Sequence, residues 1–240
     1  MPRDLKADQE MLRNVLALAE QRDIVRAAAI AEQALASGFE HPLLLNVLAT
    51  RLEYEGKLHD ALQLLERAVR LAPDDIAVRN ALSLCLQRLE RPAEALHHVD
   101  RLLKDHPELA FAHANRGNAL IAVGALGQAQ QSHQRAIELD PENLAAQGAL
   151  ASIATHRGDH EAARGWARKV LAKIPGYPDA VLSLAAAELA GGATDSAQML
   201  ICQLLAEGRA GPAETARANG LLGDVLDAAG RYVEAFSAYA

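Results

Sequence analysis

The chain has 240 residues, half of them apolar but only 3% aromatic, with alanine and leucine dominant. That balance excludes a typical sheet protein, because Ala and Leu have the lowest helical cost while β-branched and aromatic residues are scarce. Its formal charge of −7, from 24 Lys and Arg against 31 Asp and Glu, includes no basic block, so nucleic acid is repelled and excluded as a partner.

The first residues, MPRDLKADQE, lack the apolar core of a signal peptide, and no apolar run reaches the roughly 20 residues of a membrane span. These features predict a soluble, cytoplasmic protein without a membrane contact. From there on the chain repeats itself. Pro73, Pro107, Pro141 and Pro175 are spaced by 34 residues, and Ala61, Ala95, Ala129 and Ala163 each stand twelve residues before one of them. Ala27, Ala197 and Ala235 hold the same place in flanking repeats, the last after a four-residue insertion expected near Gly208–Gly211. Gly56, Gly124, Gly158, Gly192 and Gly230 precede that alanine by five residues, where a first helix must end in a residue of positive φ. Arg22 and Glu90 replace glycine in two repeats. The prolines then close each second helix.

The predicted element is therefore a helical hairpin, repeated at 8–41, 42–75, 76–109, 110–143, 144–177 and 178–215, with a partial repeat from 216. Apolar steps of three and four residues agree, as in Leu44, Leu48, Leu52 and then Leu62, Leu65, Val69. One hairpin cannot bury its own apolar face, so neighbours must stack. Small residues such as Gly117 and the repeated alanine set the distance between backbones. The final segment, GLLGDVLDAAGRYVEAFSAYA, gives a complete first helix and a second of about nine residues ending near Phe236 and Tyr239. Because solenoids need a polar terminal cap, this apolar end predicts a piece of a longer protein.

The repeat at 110–143 resembles the tetratricopeptide repeat family: Asn115, Gly117, Asn118, Gly124, Ala129, Ala136, Asp140 and Pro141 fall where that family's pattern has them. His113 stands where the family often has tryptophan, Leu120 where it has tyrosine, and His133 where it has a large apolar residue. The resemblance implies an all-α, right-handed α-α superhelix of antiparallel hairpins, one solenoid domain over 1–240. It also implies a non-catalytic scaffold that holds a protein or peptide in a concave groove lined by first helices. Carried over residue by residue, the groove comprises Asn46, Thr50 and Glu53, then Asn80, Leu84 and Gln87, then Asn115 and Asn118, then Ser152, Thr155 and His156. Asparagine suits such a place because its amide both donates to and accepts from an extended backbone. Asn115 and Asn118 are the expected centre. The Lys/Asn/Arg clamp of chaperone-binding members is missing. The segment GDVLDAAGRYVEAFSAYA also resembles the last repeat of bacterial proteins that carry a sulfotransferase domain, which implies the alternative of a substrate-recruiting arm of a larger transferase. A third reading is self-association through Phe236 and Tyr239.

No residues converge for chemistry, so the chain is read as not an enzyme. Nucleotide-binding and hydrolase motifs are missing. Adjacent His97 and His98 point about 100° apart on a helix, and a turn at Gly158 separates His156 from His160, so no metal is expected. Cys85 and Cys202 form no C-x-x-C pair and sit in apolar patterns, so both are read as buried thiols. Trp166 is expected to pack between repeats, and no cofactor is expected.

Overall fold

The computed structural model describes residues 5–239, in which every regular element is a helix. The first helices are α1 (Leu5–Glu20), α3 (Pro42–Tyr54), α5 (Ile76–Arg88), α7 (Ala110–Ala122), α9 (Leu144–His156), α11 (Pro178–Ala190) and α13 (Pro212–Ala228). Alternating with them are the second helices α2 (Ile24–Ala36), α4 (Leu58–Leu71), α6 (Pro92–Asp105), α8 (Leu126–Leu139), α10 (His160–Lys173), α12 (Thr194–Glu207) and α14 (Tyr232–Tyr239). From α3 to α13 the first helices begin at strict 34-residue steps, as do the second helices from α2 to α12. The four extra residues of the last repeat lie within α13, which has 17 residues where α3 to α11 have 13. The turn at Gly208–Gly211 keeps the ordinary length, which corrects the expected site of the insertion.

Local chemistry sets the boundaries. Asp23, Asp75, Asn143 and Asp159 cap α2, α5, α9 and α10 by accepting a backbone N–H three residues on, at 3.0 to 3.2 Å. Pro42, Pro92, Pro178 and Pro212 occupy the first turn of their helices, where a missing N–H costs nothing. The repeat-ending prolines Pro73, Pro107, Pro141 and Pro175 each lie two residues past a second helix. Gly56, Gly124, Gly158, Gly192 and Gly230 have φ of 71° to 79°, and Arg22 and Glu90 take the same left-handed conformation at 60° and 57°. The turn geometry is therefore imposed by the repeat even where the residue is not suited to it.

Contacts divide the described chain into two compact units, α1–α7 up to Ala125 and α8–α14 from Leu126. Within each, antiparallel helices pack in chain order around small residues. The repeated alanines Ala27, Ala61, Ala95, Ala129, Ala163 and Ala197 are all fully buried. In the N-terminal unit Leu62 and Leu65 of α4 meet Leu82, Cys85 and Leu86 of α5 in one cluster. Ile201, Leu204 and Val225 anchor its counterpart in the C-terminal unit. Burying each such Leu or Ile contributes about 1.5–3 kcal/mol, so the hairpins are held by their neighbours more than by helix propensity.

Candidate functional site: the inner face of the first helices

Consecutive first helices touch one another, α1 to α3 to α5 to α7 in the N-terminal unit and α9 to α11 to α13 in the C-terminal unit. Among the described residues, no pair of second helices makes a comparable contact. First helices thus lie on the tighter, inner side of each unit, where a stacked repeat presents a concave surface.

In the N-terminal unit this surface has a depression of about 280 Å3 between α3 and α5. It brings together five of the residues expected from the sequence, Asn46, Thr50, Glu53, Asn80 and Leu84. Thr50 turns its hydroxyl back, donating to the Asn46 carbonyl at 2.9 Å. Glu53 receives the Arg88 guanidinium at 2.9 Å and so brings a neutralised pair to the rim. Asn46 differs: its side-chain oxygen Oδ1 is buried without a hydrogen-bond partner among the described residues.

Asn115 and Asn118, the expected centre, are placed differently from Asn46 and Asn80. Asn115 Nδ2 donates to Asn80 Oδ1 at 2.7 Å, and Gln87 Nε2 donates to the Asn115 carbonyl at 3.4 Å, so Asn115 and Gln87 brace the groove from within the protein. Neither lines the depression. The reason is register: steps of 34 from Asn46 and Asn80 reach Ala114, and Asn115 stands one residue further round its helix. Asn118 is exposed on α7 and likewise lies outside the depression.

The C-terminal unit has a second inner cavity, of about 160 Å3, between α9, α11 and α13. Ser152, Thr155 and His156 line it, and so do Asp179, Leu182, Ala186, Arg217 and Leu221, which sequence reasoning missed. The signal was available: continuing Asn46 and Asn80 by 34-residue steps gives Leu182, and continuing Ser152 gives Ala186. Because these letters are apolar, a search for a polar strip passes over them.

Other candidate groups take structural places. The His97 and His98 rings are nearly perpendicular, at 78°, and His156 ends α9 while His160 begins α10. No group of three His, Cys, Asp or Glu side chains gathers as a metal site among the described residues. Cys85 is buried, with Sγ 3.6 Å from the Leu58 carbonyl, and desolvation followed by the charge of Glu53 pushes its thiol up to about 11. Cys202, expected to be buried, is exposed, because its place on α12 turns away from Ile201 and Leu204 in the core. Trp166 is partly buried against the cluster of Ala151, Ala167, Val170 and Ala180, which joins α9, α10 and α11. None of the described helices is long and apolar enough to cross a membrane.

Hairpins at a 34-residue repeat, with first helices inside and a buried alanine in each second helix, define a helical repeat protein. Two tetratricopeptide repeat family models match residues 52–114 and 114–178, together more than half of the chain. The chain belongs to the tetratricopeptide repeat family. Similar solved structures include a tetratricopeptide repeat protein from Parabacteroides merdae, with 21% identity, 95% of this chain and 88% of that one covered, and a TM-score of 0.71. PilW, a type IV pilus biogenesis factor, has 23% identity, covering 93% of this chain and 100% of its own, with a TM-score of 0.74. A thermophilic repeat protein of Thermus thermophilus has 20% identity over 82% of this chain and 99% of its own, with a TM-score of 0.60. At these identities the likeness is one of fold. No curated protein gives a significant match. Neither family match reaches residues 223–240, on which the resemblance to sulfotransferase-bearing proteins rests, so the matches lend it no support.

Proposed function

We propose that this chain is a non-catalytic scaffold that holds an extended peptide segment of a protein partner along the inner face of its first helices. The observation that carries the reading is Asn46. A buried carbonyl oxygen without a donor costs about 1–3 kcal/mol, and the side chain that carries this one lines a surface depression, so rotation of the amide toward the depression offers the oxygen to a partner's backbone N–H. Asn80, opposite, is held in place by Asn115, so the two amides form a pre-set pair.

A double variant, Asn46→Ala with Asn80→Ala, separates this role from a structural one. Removing the orphaned Asn46 amide offsets the loss of the Asn80–Asn115 bond, so stability is expected to change by no more than about 1 kcal/mol, while binding of peptides selected on the wild-type chain falls by roughly tenfold or more. Unchanged binding with an unchanged helical spectrum would refute the groove assignment.

Self-association is a second reading with an observation of its own. Phe236 is 76% exposed, although the equivalent residue in α4, Leu62, is 7% exposed. Tyr232 and Val233 lie exposed beside it. Light scattering that reports a monomer at all concentrations would count against a second copy docking there.

A further inference from the structure

The inner cavity of the C-terminal unit has a character that the polar-looking letters around it conceal. Thr155 Oγ1 donates to the Ala151 carbonyl at 3.0 Å, and Ser183 Oγ donates to the Asp179 carbonyl at 2.7 Å. The His156 ring bonds through Nδ1 to the Ser152 carbonyl at 2.8 Å. Each of these three groups is thus engaged on its own helix, one turn back. What is left to meet a ligand is mainly carbon, from Leu182, Ala186, Leu221 and the Thr155 methyl. The register position that holds Asn46 and Asn80 in the N-terminal unit holds Leu182 here.

Size and charge narrow the occupant. A volume of about 160 Å3 matches apolar cavities of roughly 150 Å3 that take one benzene-sized group. At the rim Arg217 pairs with Asp179 and lies 3.9 Å from Glu214, so two carboxylates surround one guanidinium in a chain that already carries −7. The remaining negative charge favours a cation beside whatever fills the socket. Resting on the groove reading above, we propose that the C-terminal unit seats a single Leu, Ile, Met or Phe side chain of the partner peptide between α9, α11 and α13, with a Lys or Arg flanking it. The socket supplies side-chain selectivity, whereas Asn46 and Asn80 address the backbone of a peptide irrespective of its sequence.

The test is to pan a phage-displayed library of random dodecapeptides on the full chain and to measure the enriched sequences as fluorescein-labelled peptides by anisotropy. Enriched peptides should share one apolar residue beside Lys or Arg, and replacing that residue by Ala should weaken binding roughly tenfold or more. Ala186→Phe, which fills the socket, should cause a comparable loss, and Asp179→Asn should reduce the advantage of the flanking cation. The peptide substitution needs no altered protein, so misfolding of Ala186→Phe leaves the test intact. Enriched peptides without an apolar anchor, or full binding to a folded Ala186→Phe chain, overturn the socket. In that case the groove reading survives if binding still depends on Asn46 and Asn80, and an absence of any enriched peptide overturns both.

Discussion

His133 shows how a single residue can oppose the fold that contains it. Its register position holds Leu65, Val99 and Ile201 in other repeats, yet here an imidazole is fully buried with neither ring nitrogen partnered among the described residues. Desolvation lowers its pKa to about 4. The folded state therefore keeps the ring neutral while the unfolded chain takes up a proton near pH 6.5, so stability is complete above 6.5 and falls as pH drops toward 4. The loss reaches about 3 kcal/mol at 1.36 kcal/mol per unit. His133→Leu should flatten the pH dependence of chemical denaturation in that window and raise stability at pH 7 by about 1–3 kcal/mol. Glu90 carries a different strain, with a left-handed φ of 57° at a place where other repeats have glycine. Glu90→Gly should raise stability by about 0.5–1 kcal/mol, measured by urea unfolding, because relief of the left-handed penalty outweighs the added freedom of the unfolded chain. Both residues stood out in the sequence as departures from the repeat. Their energetic signs did not, since those depend on burial and φ.

At the level of the hairpin, three side chains share a task that no single repeat reveals. Arg79, His113 and Gln147 are spaced by 34 residues, and each donates to the carbonyl of the proline six residues before it: Pro73, Pro107 and Pro141. The last two bonds are 2.9 and 2.7 Å. The position where the family often carries tryptophan is thus used to tie each first helix to the turn before it, which accounts for His113. Gln147→Leu should cost about 1 kcal/mol, visible as a lower melting temperature with helicity retained in the folded state. The alanine register is stricter still. At Ala95, wholly buried in one cluster with Leu82 and Leu86 of α5, Ala95→Leu should cost about 1–3 kcal/mol through overpacking. The positions of these elements were legible because proline, glycine and alanine have separate physical reasons to recur. The lengthening of α13 was not, since added helical residues leave no punctuation of their own.

For the molecule as a whole, the 34-residue period made the helical repeat plain, while the choice of the first helices as the inner face came from the resemblance to the tetratricopeptide repeat family. The sequence misjudged that face's chemistry. Asn115 looked exposed and functional but is engaged with Asn80 and Gln87, while Ser152, Thr155 and His156 looked polar but surround a socket walled by Leu182 and Leu221. Hydrogen bonds turned back along a helix cannot be read from letters alone. The account as a whole rests on partners lying along the first helices. The most direct measurement is amide chemical-shift mapping of the full chain on addition of a library-selected peptide. Shifts confined to α3, α5, α9, α11 and α13, around Asn46, Asn80, Leu182 and Ala186, are the predicted result; shifts concentrated on the second helices would contradict it.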